Sequence, residues 1–318
     1  MEKFALLYIK LFRIWYWVNF PIKGSAIIFL MYRLIFGRLL NRNLEFDNEG
    51  IIILGNMMDP MIFSILLKGL PAYVKSGNKL ANLIRKDSII FDVGACYGFY
   101  SMALATHVAP DGHVYSFEPS PSNYVHLERL VHRNKLSNIK IFNQGFSDSM
   151  QQLSMGIPDK SLGNRYKDFS GFSLNNGLKS VHSSNSISAD QEVGKFVTLD
   201  YFVEQNHISM IDFIKIDVEG HELAVLEGAK ESLKRFLPIL QIELNSTTMD
   251  LSQTNVNVLL DCIEELGYLI YIADTDPLVK FQREDLENGT FTQFRAQTFS
   301  KIKYILDVIC IPVSRKLK

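Results

Sequence analysis

Hydrophobic positions change their rhythm near residue 87 of this 318-residue chain. From there on, short apolar runs alternate with amphipathic stretches. Strands are predicted over residues 88–92, 113–118, 139–143, 211–217 and 238–243. Helices are predicted over 97–108, 121–134, 221–235 and 254–266. Such alternation is the mark of a mostly parallel sheet with helices on its faces. After Gly267 come a strand-like GYLIYIAD, a polar stretch and a last apolar strand from Asp307 to Val313. The core of the domain is thus placed at 87–313 within a unit running from 44 to 318.

Two parts of the chain break this pattern. Residues 1–43 form an N-terminal extension in which apolar positions 4, 7, 11, 14 and 18 recur at helical spacing. Charges interrupt its apolar runs well before the ~20 residues a membrane span needs. Lys10 and Arg13 also spoil a secretory leader. Residues 1–42 carry seven basic side chains against Glu2 alone, with Trp15, Tyr16 and Trp17 clustered before Pro21. That composition suits either a helical layer packed on the domain or a peripheral contact with the headgroups of a membrane's inner face. Between 44 and 87, a short strand is expected at Ile51–Leu54, a helical run from Asp59 to Lys68 and a helix from Ala72 to Arg85. The second interruption, 149–194, is rich in Ser, Asn and Gly and has no period. It reads as an insertion with short hairpins over the mouth of the sheet, or as a disordered surface loop.

Composition narrows the function by exclusion. A net charge of −1 gives no field that would draw nucleic acid. The three cysteines, Cys96, Cys262 and Cys310, are too scattered for a disulfide framework or a thiolate metal site, so a cytoplasmic setting is expected.

Candidate chemistry collects at the ends of the predicted strands. In FDVGACYGFY, residues 91–100, an acidic strand end (Asp92) enters a turn bracketed by Gly94 and Gly98, and a helix follows. Glycines there let backbone bend sharply and approach a ligand. The spacing differs from the Gly-x-Gly-x-x-Gly of dinucleotide binders, which argues against a nicotinamide reductase. In VYSFEPSPSN, Glu118 ends the next strand, 26 residues after Asp92. A carboxylate in that place can accept both ribose hydroxyls of a nucleoside, or it can simply cap the following helix. Phe146, Ser147 and Asp148 follow a third strand and reach the same edge of the sheet, where an adenine ring would find an apolar contact and a polar partner, or where an ordinary turn would lie. In IDFIKIDVEGHE, residues 211–222, Asp217, Glu219, His221 and Glu222 crowd one strand-to-helix corner, with Lys215 on the same strand face as Asp217. Structure alone rarely tolerates so many ionisable groups together. Glu219 and Glu222 also have a plain use beside a helix N-terminus. Glu243 ends the next strand on the same side.

Taken together, residues 91–100, VYSFEPSPSN, VTLDYF (197–202), IKIDVEGHE with Leu226, Glu227 and Gly228, and IEL (242–244) resemble the FkbM family of methyltransferases. The resemblance covers roughly 60–312. It implies a class I, Rossmann-like α/β fold: a mostly parallel seven-stranded sheet with an antiparallel edge strand, here preceded by the helical extension. It also implies S-adenosylmethionine as methyl donor and O-methylation of a sugar, glycolipid or other secondary metabolite. Cys96 departs from the family's usual asparagine, and residues 1–42 lie outside the shared region.

On this reading Asp92, Gly94, Gly98, Glu118, Phe146, Ser147 and Asp217 bind the donor, whose carboxylate rests on backbone amides after Gly94. His221 is the favoured general base because its ordinary pKa suits neutral pH, with Asp217 and Glu219 next. A packed histidine at a helix start is the plain alternative. Asp217, Glu219, Glu222 and Glu243 have the oxygen chemistry of a magnesium site, but no compact ligand motif supports one, so no metal is assigned. N-methylation and a non-catalytic, membrane-associated donor-binding module are the rival functions. The acceptor pocket is expected in 149–194 and 275–300, with Tyr166, Phe169 and Phe172 suited to a sugar ring.

Overall fold

The computed structural model describes residues 43–48, 51–56, 83–156, 179–180, 191–273, 278–284, 296–298, 301–303 and 305–315, with single positions elsewhere. The expected N-terminal helix, the 72–82 part of the lead-in helix, the middle of the insertion and much of 275–300 lie outside these residues. So do Tyr166, Phe169 and Phe172. Of the 59–68 run, Ile62, Phe63 and Ile65 are helical and buried.

A hairpin of β1 (Asn43–Asn48) and β2 (Ile51–Asn56) precedes the core. Then follow β3 (Ile89–Val93), α1 (Phe99–Val108), β4 (His113–Phe117), α2 (Pro121–Arg133), β5 (Ile139–Phe142) and β6 (Gly145–Phe146). The insertion contributes β7 (Gln151–Gly156), β8 (Lys179–Ser180) and β9 (Gln191–Val197). The second half has α3 (Leu199–Gln205), β10 (Phe213–Ile216), α4 (Glu222–Glu227), α5 (Lys230–Phe236), β11 (Ile239–Asn245), α6 (Ser246–Ser252) and α7 (Val256–Glu265). The chain closes with β12 (Tyr268–Ile272), β13 (Val279–Lys280), β14 (Ala296–Thr298), β15 (Lys301–Lys303) and β16 (Ile305–Pro312).

The main sheet runs β13-β12-β16-β11-β10-β3-β4-β5. Neighbouring strands from β11 to β5 are parallel, and β16 runs antiparallel to both β11 and β12. This is the doubly wound class I methyltransferase order. β16 sits third from the edge, inside β12 and the two-residue β13, which pairs antiparallel with β12 and extends the sheet to eight strands. The central strands β3, β10 and β11 are buried on both faces, which is why they read as mostly apolar runs. On one face Phe91, Phe117, Phe146 and Phe202 interlock, with Phe117 and Phe202 edge to face at 4.9 Å.

Three differences from the expected elements have local causes. The helix expected over 221–235 is two helices, the first capped by Gly228, where a Cβ would stand 2.0 Å from the carbonyl of Ser147. The 246–252 stretch forms α6, which its Ser, Thr and Asp residues concealed from a periodicity reading. The insertion leaves as β7 and returns as β9, paired antiparallel from Gln151↔Phe196 to Gly156↔Gln191, so its ends are anchored as a ribbon.

Candidate active site

β3 and β4 deliver a turn and a carboxylate to the same place. The amides of Gly94 and Ala95 both donate to the carbonyl of Phe117, at 3.1 and 3.0 Å, and Gly98 donates to Ala95. Gly94 and Gly98 both hold positive φ, +86° and +85°. Their need for glycine is double: a Cβ on Gly94 would meet the carbonyl of Asp217 at 1.9 Å, and one on Gly98 would meet Leu127 at 2.2 Å. Glu118 lies against this turn. One of its oxygens accepts the Cys96 amide at 2.8 Å and the other the Ser120 amide at 2.8 Å. Burial pushes its carboxyl up to about 7, although those amides pull the other way. The Asn123 side chain is a further hydrogen-bond partner of this carboxyl. The amides of residues 94, 95, 96 and 98 are therefore committed within the turn, and the anion-favouring feature beside Glu118 is the first turn of α1.

Asp92 is a floor beneath the turn rather than a ligand contact. It is fully buried, accepts from the Ser101 hydroxyl at 2.5 Å, and lies 3.9 Å from Lys215. Lys215 in turn stands 2.9 Å from Asp217, whose side chain is one-third exposed at the end of β10. Burial opposes the Lys215 charge, but Asp217 and Asp92 outweigh it and hold the ammonium well above the ordinary lysine value. Phe146 and Ser147 are also withdrawn from solvent. Phe146 packs on Phe117 at 4.5 Å within the aromatic core, and Ser147 is 0% exposed. Neither reaches a ligand at the surface as the sequence suggested.

Beyond Asp217 the backbone turns sharply. Glu219 takes a positive φ of +54°, unusual for a side-chain-bearing residue, and Gly220 follows at +96°. Glu222 reaches back: its Oε1 accepts the amides of Val218 and Gly220 at 3.2 and 3.1 Å. This turn presents Asp217 and Glu219 beside Glu243 of β11, with oxygens of all three within 4.8 Å of one another. Burial, then Asp217 and Glu222, push Glu219 well above the usual carboxylate range. Glu243 is raised likewise by burial, then by Asp217 and Glu219.

His221 points elsewhere. Its Nε2 lies 2.9 Å from the hydroxyl of buried Ser147, which also accepts from Gln151 at 2.7 Å. Phe196 of the insertion packs edge-on against its ring at 5.9 Å. Burial lowers its pKa, with Asp148 acting the other way. The histidine thus fastens the start of α4 to the β6–β7 corner.

A cavity of about 340 Å³ that sequence reasoning missed opens between α6 and α7, lined by Ser246, Asp250, Gln253, Thr254 and Asn255 among others. It adjoins the acidic corner, since the Ser252 and Thr254 hydroxyls lie 2.8 and 3.3 Å from the carbonyl of Gly220. The polar run 246–255 held this signal, but without an apolar period it looked like a connection.

Comparison with known proteins places the chain among methyltransferases. The model of the "Methyltransferase FkbM domain" matches residues 92–270, more than half the chain. Methyltransferase 1 of Beauveria bassiana is 20% identical over 196 residues, 60% of this chain and 76% of that one. The hexuronic acid methyltransferase AglP of Haloferax volcanii is 26% identical over 149 residues, 47% of this chain and only 53% of its own length. Methyltransferase sdnD of Sordaria araneosa is 28% identical over 167 residues, 48% of this chain and 64% of its own length. Among solved structures, methyltransferase FkbM from Methylobacillus flagellatus superposes with a TM-score of 0.41 at 15% identity, covering 90% of this chain and 60% of that one. The strand order above, not that superposition, fixes the fold. From the 92–270 match, the chain belongs to the FkbM family of methyltransferases.

Proposed function

We propose that this protein transfers a methyl group from S-adenosylmethionine to a hydroxyl of a sugar-like acceptor. The observation that carries the reading is Glu118: a buried carboxyl seated against the Gly94–Gly98 turn and held there by the amides of Cys96 and Ser120. That donor–acceptor set fits the two ribose hydroxyls of a nucleoside, and the N-terminus of α1 beside it fits an anion. When bound there, S-adenosylmethionine supplies an electrophilic methyl group on a positively charged sulfur.

The chain's own residues supply the rest. Glu118 holds the ribose. Asp217, kept in place by Lys215, puts negative charge near the sulfonium side of the crevice. Glu219, whose affinity for protons is raised by burial and then by its acidic neighbours Asp217 and Glu222, takes the proton of the attacking hydroxyl, with Asp217 second. His221 acts as a positioning residue through Ser147. The polar cavity between α6 and α7 is the acceptor site nearest this corner, and hydroxyl, amide and carboxylate side chains line it as a polyol requires. The name of AglP points the same way, to a sugar-derived acceptor. The basic, aromatic residues 1–42 fit a membrane surface, as a lipid-linked glycan acceptor would need. No helix among the described residues is long and apolar enough to cross a membrane.

The test is calorimetric titration of the full chain with S-adenosylmethionine, followed by incubation of a native extract with isotope-labelled donor and mass analysis of the product. Donor binding with label on a hydroxyl is expected. Label on an amine would establish N-methylation, and absence of donor binding would end the catalytic reading. Pelleting with anionic vesicles, compared with a chain shortened to begin near Leu44, tests the membrane contact.

A further inference from the structure

We propose that Glu222 and Ser252 are positioning residues that clamp the backbone of Gly220 at its N–H and its carbonyl, and so hold Glu219 in the left-handed conformation that presents its carboxylate at the end of β10. The role of Glu219 as proton acceptor rests on the methyltransferase reading; the clamp itself does not.

The first observation is the backbone of Glu219. Its φ of +54° lies in the left-handed region, which is costly for a residue with a side chain and persists only where the surroundings over-determine it. Glycine would remove that cost, and the chain does use glycine at the next position, where φ is +96°. Glu219 therefore keeps a side chain where the backbone alone favours none. That side chain is partly exposed and stands with those of Asp217 and Glu243, an oxygen of each lying within 4.8 Å of the others.

The second observation is what over-determines this turn. Glu222 starts α4 and is 1% exposed. Its Oε1 accepts the amides of Val218 and Gly220 at 3.2 and 3.1 Å. Those amides belong to the residues on either side of Glu219, so one buried oxygen spans it. From the other side, Ser252 Oγ donates to the carbonyl of Gly220 at 2.8 Å, and the Thr254 hydroxyl lies 3.3 Å from the same oxygen. α6 also leaves the turn no room to shift. A Cβ on Gly220 would stand 2.5 Å from the carbonyl of Thr248 and 2.7 Å from Ser252 Oγ. The contacts come from separate parts of the chain, α4 and the α6 region, and converge on three consecutive residues.

Their place gives them a use. Thr254 belongs to the lining of the cavity between α6 and α7, so an acceptor seated there touches the same element that sets Glu219. A misplacement of about 1 Å between reacting groups can cost ~10²-fold in rate. Sequence reading gave Glu222 only its plain use beside a helix N-terminus. The reach of its carboxylate back to amides two and four residues earlier appears only in the folded turn.

The test uses the full chain with Glu222→Ala, Glu222→Gln and Ser252→Ala. Two readouts are kept apart. Amide hydrogen exchange of the segment around Val218 and Gly220 reads the clamp and needs no substrate. Transfer of isotope-labelled methyl from S-adenosylmethionine into a native extract reads the positioning, with the maximal rate separated from the donor concentration that gives half of it. Glu222→Ala should speed exchange at least tenfold and lower the maximal rate about a hundredfold, while the half-saturating donor concentration changes less than threefold. Glu222→Gln keeps an oxygen for both amides and should recover at least tenfold of that lost rate. Ser252→Ala should lower the maximal rate by about three- to tenfold, and it carries both readouts if Glu222→Ala does not fold. The sharpest measurement places each substitution in a Glu219→Gln chain. There it should cost less than threefold further, because the group it positions is already gone. Losses that simply multiply overturn the positioning role, and exchange that stays at the parent's rate in the alanine variants overturns the clamp. A parent chain that transfers no methyl ends the methyltransferase reading and the positioning role together, while the exchange result still decides the clamp.

Discussion

Lys215 Nζ lies 2.9 Å from a carboxylate oxygen of Asp217 and 3.9 Å from one of Asp92, so one buried ammonium joins the floor of the glycine turn to the acidic corner. The two acids differ in what they would lose without it. Asp217 is one-third exposed and can turn to water, whereas Asp92 is fully buried and keeps one oxygen with no hydrogen-bond partner. Breaking a buried pair by removing one member typically costs ~3–5 kcal/mol, because the other charge is stranded. We expect Lys215→Met to lower unfolding free energy by about that amount, and Asp92→Asn in the same chain to restore part of it. Chemical denaturation of the three proteins checks this. A Lys215→Met chain as stable as the parent would show that Asp92 is held neutral by other means.

Glu118 should make donor binding depend on pH in one direction. Its carboxyl is raised from an ordinary 4.5 to about 7 by burial. The ribose hydroxyls donate hydrogen bonds, so they favour the ionised form, and the bound nucleoside lowers this pKa. Affinity for S-adenosylmethionine is therefore expected to fall as pH drops below about 7, approaching tenfold per unit. Glu118→Gln should bind more weakly and lose most of that slope. For stability the sign is opposite. A carboxyl whose folded pKa is raised contributes stability that is complete below 4.5 and is lost as pH rises through about 7, and Glu222 shares this window. Without donor, the chain should therefore lose stability as pH rises from 4.5 to 7.

Gly94 joins the donor turn to the acidic corner by contact alone. A Cβ there meets the Asp217 carbonyl at 1.9 Å, and its φ of +86° is a conformation that side-chain-bearing residues adopt only under strain. Strain and overpacking each cost ~1–3 kcal/mol. Gly94→Ala is expected to lose more than about 2 kcal/mol of stability and to abolish measurable donor binding. Retained donor affinity in a folded Gly94→Ala chain would show that the turn yields at little cost.

These contacts explain which parts of the molecule could be read in advance. The parallel strands follow from mostly apolar stretches such as Ile89–Phe91 and Phe213–Ile216, whose burial on both faces leaves a mark in the sequence. Glu118 beside the glycine turn was legible for the same reason: strand ends in this topology have one place to go. Depth was not legible. Asp92, Phe146 and Ser147 sit at the right ends of the right strands, yet a single position decides whether a side chain meets solvent or core, and only packing settles it. That Glu243 shares a side with Asp217 and Glu219 was legible from the strand ends, but how near their oxygens come was not, because Glu243 reaches Asp217 across a parallel pairing that local spacing does not record. The cavity escaped because the polar residues of α6 and the turn after it have no periodicity.

His221 shows the same limit and can be tested most sharply. An imidazole at a strand-to-helix corner suggests a base, but its Nε2 lies 2.9 Å from Ser147 and its ring is packed by Phe196. A general base contributes ~10²–10⁴ in rate, and its loss appears in kcat along with a lost limb of the pH profile. A fastening residue behaves differently, because any side chain that still reaches Ser147 does its work. We therefore expect His221→Gln to keep turnover within about tenfold of the parent with an unaltered pH profile, and His221→Ala to melt at a lower temperature. Glu219→Gln should instead lose two orders of magnitude or more in kcat, at donor affinity changed less than threefold. If His221→Gln loses a hundredfold and Glu219→Gln does not, the proton acceptor is the histidine, and the contact with Ser147 must open during turnover.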